Sequence, residues 1–282
     1  MIALVHTLRV LVLVASALFV GLGMDTGAPV FARPASTPPV ADLQAALLKR
    51  ALGELRPAAA DPSPSASRLY FVGFASFGEQ AVFKREVLAV RRLFDERFGT
   101  KGRSIVLINH PSTRTERPLA SVANLEHVLL HLGRVMDPDR DKLFLFLTSH
   151  GDDGVLAVTM PGLALEHLRP DHLKSMLDRS GIKNRVIVVS ACHSGSFIPS
   201  LAGPRTLVIA AARADRSSFG CEDRRRWTYF GDAYFNRALR HETSFRRAFE
   251  EASQMIGAWE RRARLTPSMP QIAGGEALAG AD

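Results

Sequence analysis

Cysteine is scarce in this sequence: 282 residues contain only Cys192 and Cys221. A disulfide-dense scaffold is thereby excluded, and the most the pair allows is one bridge. Aromatic residues are few, at 7% of the chain, and none falls in an RNA-binding pattern. No internal repeat is present. No His/Cys/Asp spacing matches a common zinc signature, although His110, His150 and His193 are available, so no metal and no cofactor are expected. The serine-hydrolase element G-x-S-x-G is missing as well, because Cys192 stands where its first glycine would precede Ser194. The longest apolar run, Val10 to Val20, falls short of the roughly 20 residues of a spanning helix.

What is there suits one α/β domain of ordinary size. The chain is 46% hydrophobic and 23% charged, which excludes disorder of the whole. The net charge of +8 comes from scattered Lys and Arg, the densest group being Arg224-Arg225-Arg226. That scatter reads as a solvated surface, and no nucleic-acid partner is expected. His6 and Arg9 precede the apolar run, and Val30-Phe31-Ala32 offers small residues at the outer positions of a cleavage site. Residues 1–32 are therefore expected to be a signal peptide, or an uncleaved anchor through residues 10–24. Either way export to a periplasmic or extracellular place is expected; the blander reading of the run is a buried helix. No Cys follows the run closely, which argues against a lipoprotein anchor.

Residues 33–67 are rich in Pro, Ala and Ser and read as a linker or pro-segment. Leu43, Ala46, Leu47, Ala51 and Leu55 predict a short helix inside it. The folded domain is expected over 68–274, with a flexible tail over 275–282. Its pattern alternates. Strands are predicted at 69–73, 104–108, 143–147, 185–189 and 206–211, with a small extension at 155–159 and a last short strand at 271–273. Helices are predicted at 79–98, 119–135, within 163–177 with Pro170 at a start or a break, 232–240 and 244–264. Strands apolar on both faces, alternating with helices, predict a mostly parallel sheet covered on both sides. Right-handed crossovers bring every strand's C-terminal end to one edge, where ligands bind.

Two strand ends carry chemistry. One strand ends in Thr148-Ser149-His150-Gly151, and another in Ser190-Ala191-Cys192-His193-Ser194-Gly195-Ser196. Were the strands parallel neighbours, His150 and Cys192 would face one cleft. A thiol near pKa ~8.5 is mostly protonated at neutral pH, and a nearby imidazole or helix N-terminus supplies thiolate. A thiolate attacks a peptide carbonyl to give a thioester. The backbone N–H groups of Gly151 and Cys192 suit an oxyanion hole, and His150 suits an acid–base role. Alone, each residue has a blander reading: a surface histidine, and a cysteine used as a small buried hydrophobe. A Cys192–Cys221 bridge would block the nucleophile.

The His-Gly and Ala-Cys pairs after successive strands resemble the caspase–legumain clan. With Ser217-Ser218-Phe219-Gly220-Cys221 and Thr228-Tyr229-Phe230-Gly231-Asp232, the wording looks most like legumain-type cysteine peptidases, which also resemble the GPI transamidase catalytic subunit. The resemblance covers about Leu69 to Gly274. It implies a caspase-like three-layer sandwich, a polypeptide substrate and cofactor-free cleavage with Cys192 and His150. It also implies a pocket for the residue before the scissile bond at Ser190, Ser217, Ser218 and Asp232. Two departures stand out. Legumains carry an acidic residue where Ser190 stands here, and an Arg near Gly78 or Glu79. The resemblance therefore implies acceptance of Asn or another polar residue. Asp232 also suits a helix N-cap, and the serines an ordinary polar loop. Two further activities stay open: transpeptidation through the same thioester, and a non-catalytic binding protein on the same fold.

Overall fold

Runs of Val, Ile, Leu and Phe without a polar break cannot face water on either side, so they pair with one another in the interior. The computed structural model describes residues 40–60 and 67–278. Its strands are β1 (Leu69–Ala75), β2 (Ser104–Ile108), β3 (Lys142–Thr148), a small hairpin of β4 (Gly151–Asp152) and β5 (Val155–Leu156), then β6 (Asn184–Ser190), β7 (Thr206–Ala210) and β8 (Gln271–Ala273). The main sheet has the order β2-β1-β3-β6-β7-β8. All its pairings are parallel except that of β8, which runs antiparallel to β7.

The helices are α1 (Val40–Gly53), α2 (Ala81–Arg97), α3 (Val122–Val135), α4 (Pro170–Ser180), the short α5 (Ile198–Leu201), the single turn α6 (Tyr229–Gly231) and α7 (Phe245–Ala263). From α6 the chain continues through a π turn at Asp232–Arg237 and a 3₁₀ turn at Ala238–Arg240. Strand side chains alternate between two cores, as their period of two requires. Phe71, Phe144, Phe146 and Val188 join α2, α7 and the 230–239 segment on one face. Tyr70, Leu143, Leu145 and Ile187 join α1, α3 and α4 on the other. The first core is built on phenylalanine, with Phe94 against Phe144 at 4.3 Å and Phe146 against Phe235 at 4.5 Å between ring centroids. Each such buried ring is worth about 1.5–3 kcal/mol. This is the caspase-like three-layer α/β architecture expected from the sequence.

Three boundaries are refined by the structure. The helix expected within 163–177 starts at Pro170, the expected start or break, because Arg169 before it is held extended and the proline suits the first helical position. The short helix expected inside the 33–67 linker is present as α1, and it packs onto the domain instead of interrupting a free linker. From Val40 the chain is helical, Leu48 and Leu55 enter the second core, and Gln44 Oε1 accepts the Leu119 N–H at 2.8 Å. The tail expected over 275–282 is likewise packed at its start. The Gly275 N–H donates to the Gly203 carbonyl, and Leu278 is buried in the first core. The expected signal peptide or anchor at 1–32 and the remainder of the tail lie outside the described residues. No described helix is long and apolar enough to cross a membrane.

α2 buries a carboxyl in the layer beneath the sheet's C-terminal edge. Glu86 has no exposed surface. Its Oε2 accepts from Thr148 Oγ1 at 2.7 Å, and its Oε1 accepts from the Thr228 N–H at 3.0 Å and Thr228 Oγ1 at 2.7 Å. One carboxyl thus ties the end of β3 to the start of α6. Burial pushes its pKa above the ordinary glutamate value, more than the three hydrogen bonds pull it back, and Asp232 adds to the rise.

Two outcomes follow for stability. Above the ordinary value near 4.5 the unfolded chain loses the Glu86 proton while the folded chain keeps it, so this group's stabilisation declines as pH rises toward its folded value. Glu86→Gln keeps the shape, accepts both Thr228 donors and donates to the Thr148 hydroxyl. Urea unfolding across pH 4 to 8 should therefore show a flatter decline in Glu86→Gln than in wild type. An identical slope would mean that Glu86 ionises freely in the fold. Separately, Gly133 on α3 lies so close to α4 that an added methyl would land on the Ser180 carbonyl oxygen. Gly133→Ala should lose about 1–3 kcal/mol by the same assay despite alanine's better helix propensity, since overpacking outweighs the roughly 1 kcal/mol gained.

Candidate active site

Parallel pairing fixes which residues leave the sheet together. β3 and β6 are neighbours in a register that sets Thr148 beside Ser190. Two residues further on, His150 and Cys192 emerge side by side. Ser149 N–H still donates to the Ser190 carbonyl, at 3.3 Å. The backbones then come very close: a methyl on Gly151 would press on the Cys192 carbonyl and meet Ala191 Cβ at 3.0 Å. Only glycine fits at that approach.

His150 is half-buried and anchored from one side. Its Nε2 and Gln80 Oε1 are 2.6 Å apart. A carbonyl oxygen only accepts, so Nε2 carries the proton and Nδ1 keeps its lone pair. Phe77 and Phe83 meet the imidazole edge-on, with centroids 4.6 Å and 5.3 Å away. Burial lowers the pKa of His150, which keeps the ring neutral and available as a base.

Cys192 sits in the turn between β6 and the 3₁₀ helix Ser194–Phe197. His193, which follows it, has a left-handed backbone at φ 54°. For a non-glycine residue that conformation costs about 1–2 kcal/mol. Two bonds hold it: the His193 N–H to the Arg216 carbonyl at 2.8 Å, and Nδ1 with the Ala214 carbonyl at 2.8 Å. The sulfur's partners come from the same loop. The Ser218 N–H donates to Cys192 Sγ at 3.4 Å, and the Ser218 carbonyl and hydroxyl lie 3.6 Å and 3.9 Å away. Sequence reasoning expects N–H donors from a helix right after Cys192; the donor identified is instead Ser218, from the loop after β7.

No disulfide joins Cys192 to Cys221; both thiols are free. Cys221 packs against the first core. Its thiol is pushed up to about 12, chiefly by burial and then by the neighbouring Cys192. That is the behaviour of a small hydrophobe, not of a nucleophile.

The four residues expected to line the substrate pocket are treated differently by the fold. Ser190 is buried, its hydroxyl 3.3 Å from that of Thr228, which in turn bonds Glu86. Ser218 is at the thiol. Ser217 is exposed. The Asp232 carboxylate is spent within its own helical run, on Asn236 Nδ2 at 2.7 Å and Arg237 Nε at 3.3 Å. It is no N-cap. Thr228 fills that role for α6, accepting the Gly231 N–H at 2.9 Å. No three His, Cys, Asp or Glu side chains among the described residues gather as a metal site.

Sequence reasoning missed Gln80, Phe77, Phe83 and Glu86. The expected helix at 79–98 carried no signal that the Gln80 side chain leaves the helix cap to hold a histidine far along the chain. Glu86 lay within an amphipathic pattern, where a charged residue reads as solvated.

Comparison with known proteins agrees with this geometry. The profile of the Peptidase C13 family matches residues 124–276, more than half of the chain and including both strand ends. Legumain of Mus musculus is 31% identical over 97 residues, which is 34% of this chain and 22% of the mouse protein. Legumain of Bos taurus is 33% identical over 98 residues, again 34% and 22%. The chain therefore matches only about a fifth of the length of these curated relatives. The crystal structure of caspase-1 from Spodoptera frugiperda superposes with a TM-score of 0.51 over 74% of this chain and 86% of that one; at 15% identity the likeness is one of fold. On the family match, supported by the strand ends it contains, the chain belongs to the Peptidase C13 family, the legumain-type cysteine peptidases.

Proposed function

We propose that the protein cleaves peptide bonds through a Cys192 thioester, with His150 as acid and base. The observation that carries this reading is the shared edge of β3 and β6, where a free thiol and a neutral, anchored imidazole leave the sheet in register. His150 Nδ1 takes the thiol proton as the sulfur attacks the carbonyl carbon. The N–H groups of Gly151 and Cys192 receive the developing oxyanion. The C–N bond breaks, and the departing amine leaves with the proton from Nδ1. Water then attacks the thioester, giving its proton to His150, and Cys192 is released.

Gln80 is a positioning residue in this scheme. By accepting from Nε2 it fixes the tautomer and turns Nδ1 toward the cleft. Ser218, whose N–H and hydroxyl lie at the thiol, supports a polar residue, Asn among them, before the scissile bond. The apolar run at the N-terminus supports export of the protein.

Cleavage of a peptide library tests the reading. Cys192→Ala and His150→Ala should each lower kcat/KM by at least ~10³-fold while leaving the melting temperature in place. Full activity in either variant would refute the assignment. Gln80→Ala should lower kcat by up to ~10²-fold with little change in KM, as expected for lost orientation. Gln80→Glu gives a sharper readout. A carboxylate on Nε2–H favours the imidazolium, so the acidic limb of the kcat/KM profile should move to higher pH. An unmoved limb would show that Gln80 does not act through His150.

A further inference from the structure

The first turn of α2 supplies no acidic residue of its own. The positive end of the macrodipole favours acidic residues, yet this turn holds none, and Lys84 and Arg85 follow directly. Gln80, at the N-cap, makes no capping bond because its side chain is committed to His150. Such local inconsistency gathers where function demands it.

Lys84 meets only neutral partners. Its ammonium lies 3.2 Å from His110 Nδ1 and donates to Ser112 Oγ at 2.8 Å. The Ser112 N–H donates to the same Nδ1 at 3.1 Å, and Ser112 Oγ lies 2.8 Å from it. Nδ1 therefore holds a lone pair and His110 carries its proton on Nε2, which has no hydrogen-bond partner among the described residues. Among the described residues, one of the three ammonium protons also has no partner. Arg85 donates to the carbonyls of Asp223 and Arg225, so it too lacks a carboxylate partner. The nearest acid, Asp223, caps the helix by accepting the Ala81 N–H at 2.6 Å. It raises the pKa of Lys84 and His110. Burial outweighs it in both, joined by Arg85 for Lys84 and by Lys84 for His110, so both groups sit below their usual values. The cluster is short of negative charge.

Its place on the sheet says what could bring that charge. β2 ends at Ile108, so His110 and Ser112 stand on the same edge as His150 and Cys192. Lys84 is one helical turn beyond Gln80. Along the edge, the order β2-β1-β3-β6 puts this cluster on the far side of His150 from Cys192. A general acid hands its proton to the departing amine, so the departing chain runs on that far side. We propose that Lys84, His110 and Ser112 form a subsite for a carboxylate on the leaving side of the peptide substrate. This deepens the peptidase reading and rests on it. The carboxylate comes from an acidic side chain or from the chain's own C-terminus, and both present the same two oxygens.

The test uses the full chain carrying Cys192→Ala, which holds peptide without turnover. Fluorescein-labelled peptides differ only in Glu against Gln in the leaving segment, or in a free against an amidated C-terminus, and binding is read by anisotropy. One of the two carboxylate forms should bind about tenfold tighter than its neutral partner, and which form does so names the source. Lys84→Gln in the same background should bring that ratio to about one, and Lys84→Arg should restore it, which separates lost charge from a damaged fold. Equal affinities in the Cys192→Ala chain, no binding of any peptide, or a ratio that survives Lys84→Gln would overturn the subsite. Labelling of wild-type Cys192 by a peptidyl electrophile stands apart from these results. Labelling without a carboxylate preference sinks the subsite alone, and a preference without labelling sinks the peptidase reading alone.

Discussion

The register between β3 and β6 is the constraint from which the site follows. Side chains in a strand alternate with a period of two, so a slip of one residue would turn every buried side chain of β6 to the opposite core. Val186 and Val188 belong to one core and Ile187 and Val189 to the other, and the two are not interchangeable. Hydrophobic burial thus locks Thr148 opposite Ser190, and the positions of His150 and Cys192 come with it. The placement of these two side chains is inherited from core packing.

Around that edge the polar groups are bonded across elements, not along them. Glu86 of α2 joins the end of β3 to the start of α6. Gln80, just before the same helix, holds His150. Ser218 reaches Cys192 from the loop after β7, while Arg216 and Ala214 in that loop fix the strained His193. α2 and the 214–228 loop are therefore the two walls on which the site depends. They are also tied to each other through Asp223 on the Ala81 N–H and Arg85 on the loop carbonyls. Buried polar networks of this kind specify one arrangement because each unsatisfied member costs about 1–3 kcal/mol.

Charge at the same edge is uneven. Asp232, a residue suited on family grounds to reading substrate, is neutralised by Arg237. Glu86 is sealed from solvent and held toward its protonated form. Across the site, Lys84 and Arg85 make their hydrogen bonds to neutral groups, with the carboxylate of Asp223 at the helix start beside them. These two carboxyl groups, Asp232 and Glu86, are thus paired or buried, and Lys84 and Arg85 stand on the far side of His150.

The sequence by itself determined the layers and the two strand ends. Uninterrupted apolar runs at 143–147 and 185–189 leave no choice but a sheet covered on both faces, and parallel strands share one C-terminal edge. His150 and Cys192 were legible because each directly follows such a run. Only the tertiary structure decided how they are held. Gln80 reaches His150 and Glu86 reaches Thr228 across 70 and 142 residues. Contacts that long leave no mark in local periodicity, since a polar residue on a helix is written the same whether it meets water or a buried partner. The helix within 33–67 was legible from its leucine spacing, but its packing onto the domain was not, for a related reason. Pro, Ala and Ser set the composition of 33–67, while a few leucines and Gln44 decide that the stretch from Val40 packs onto the core.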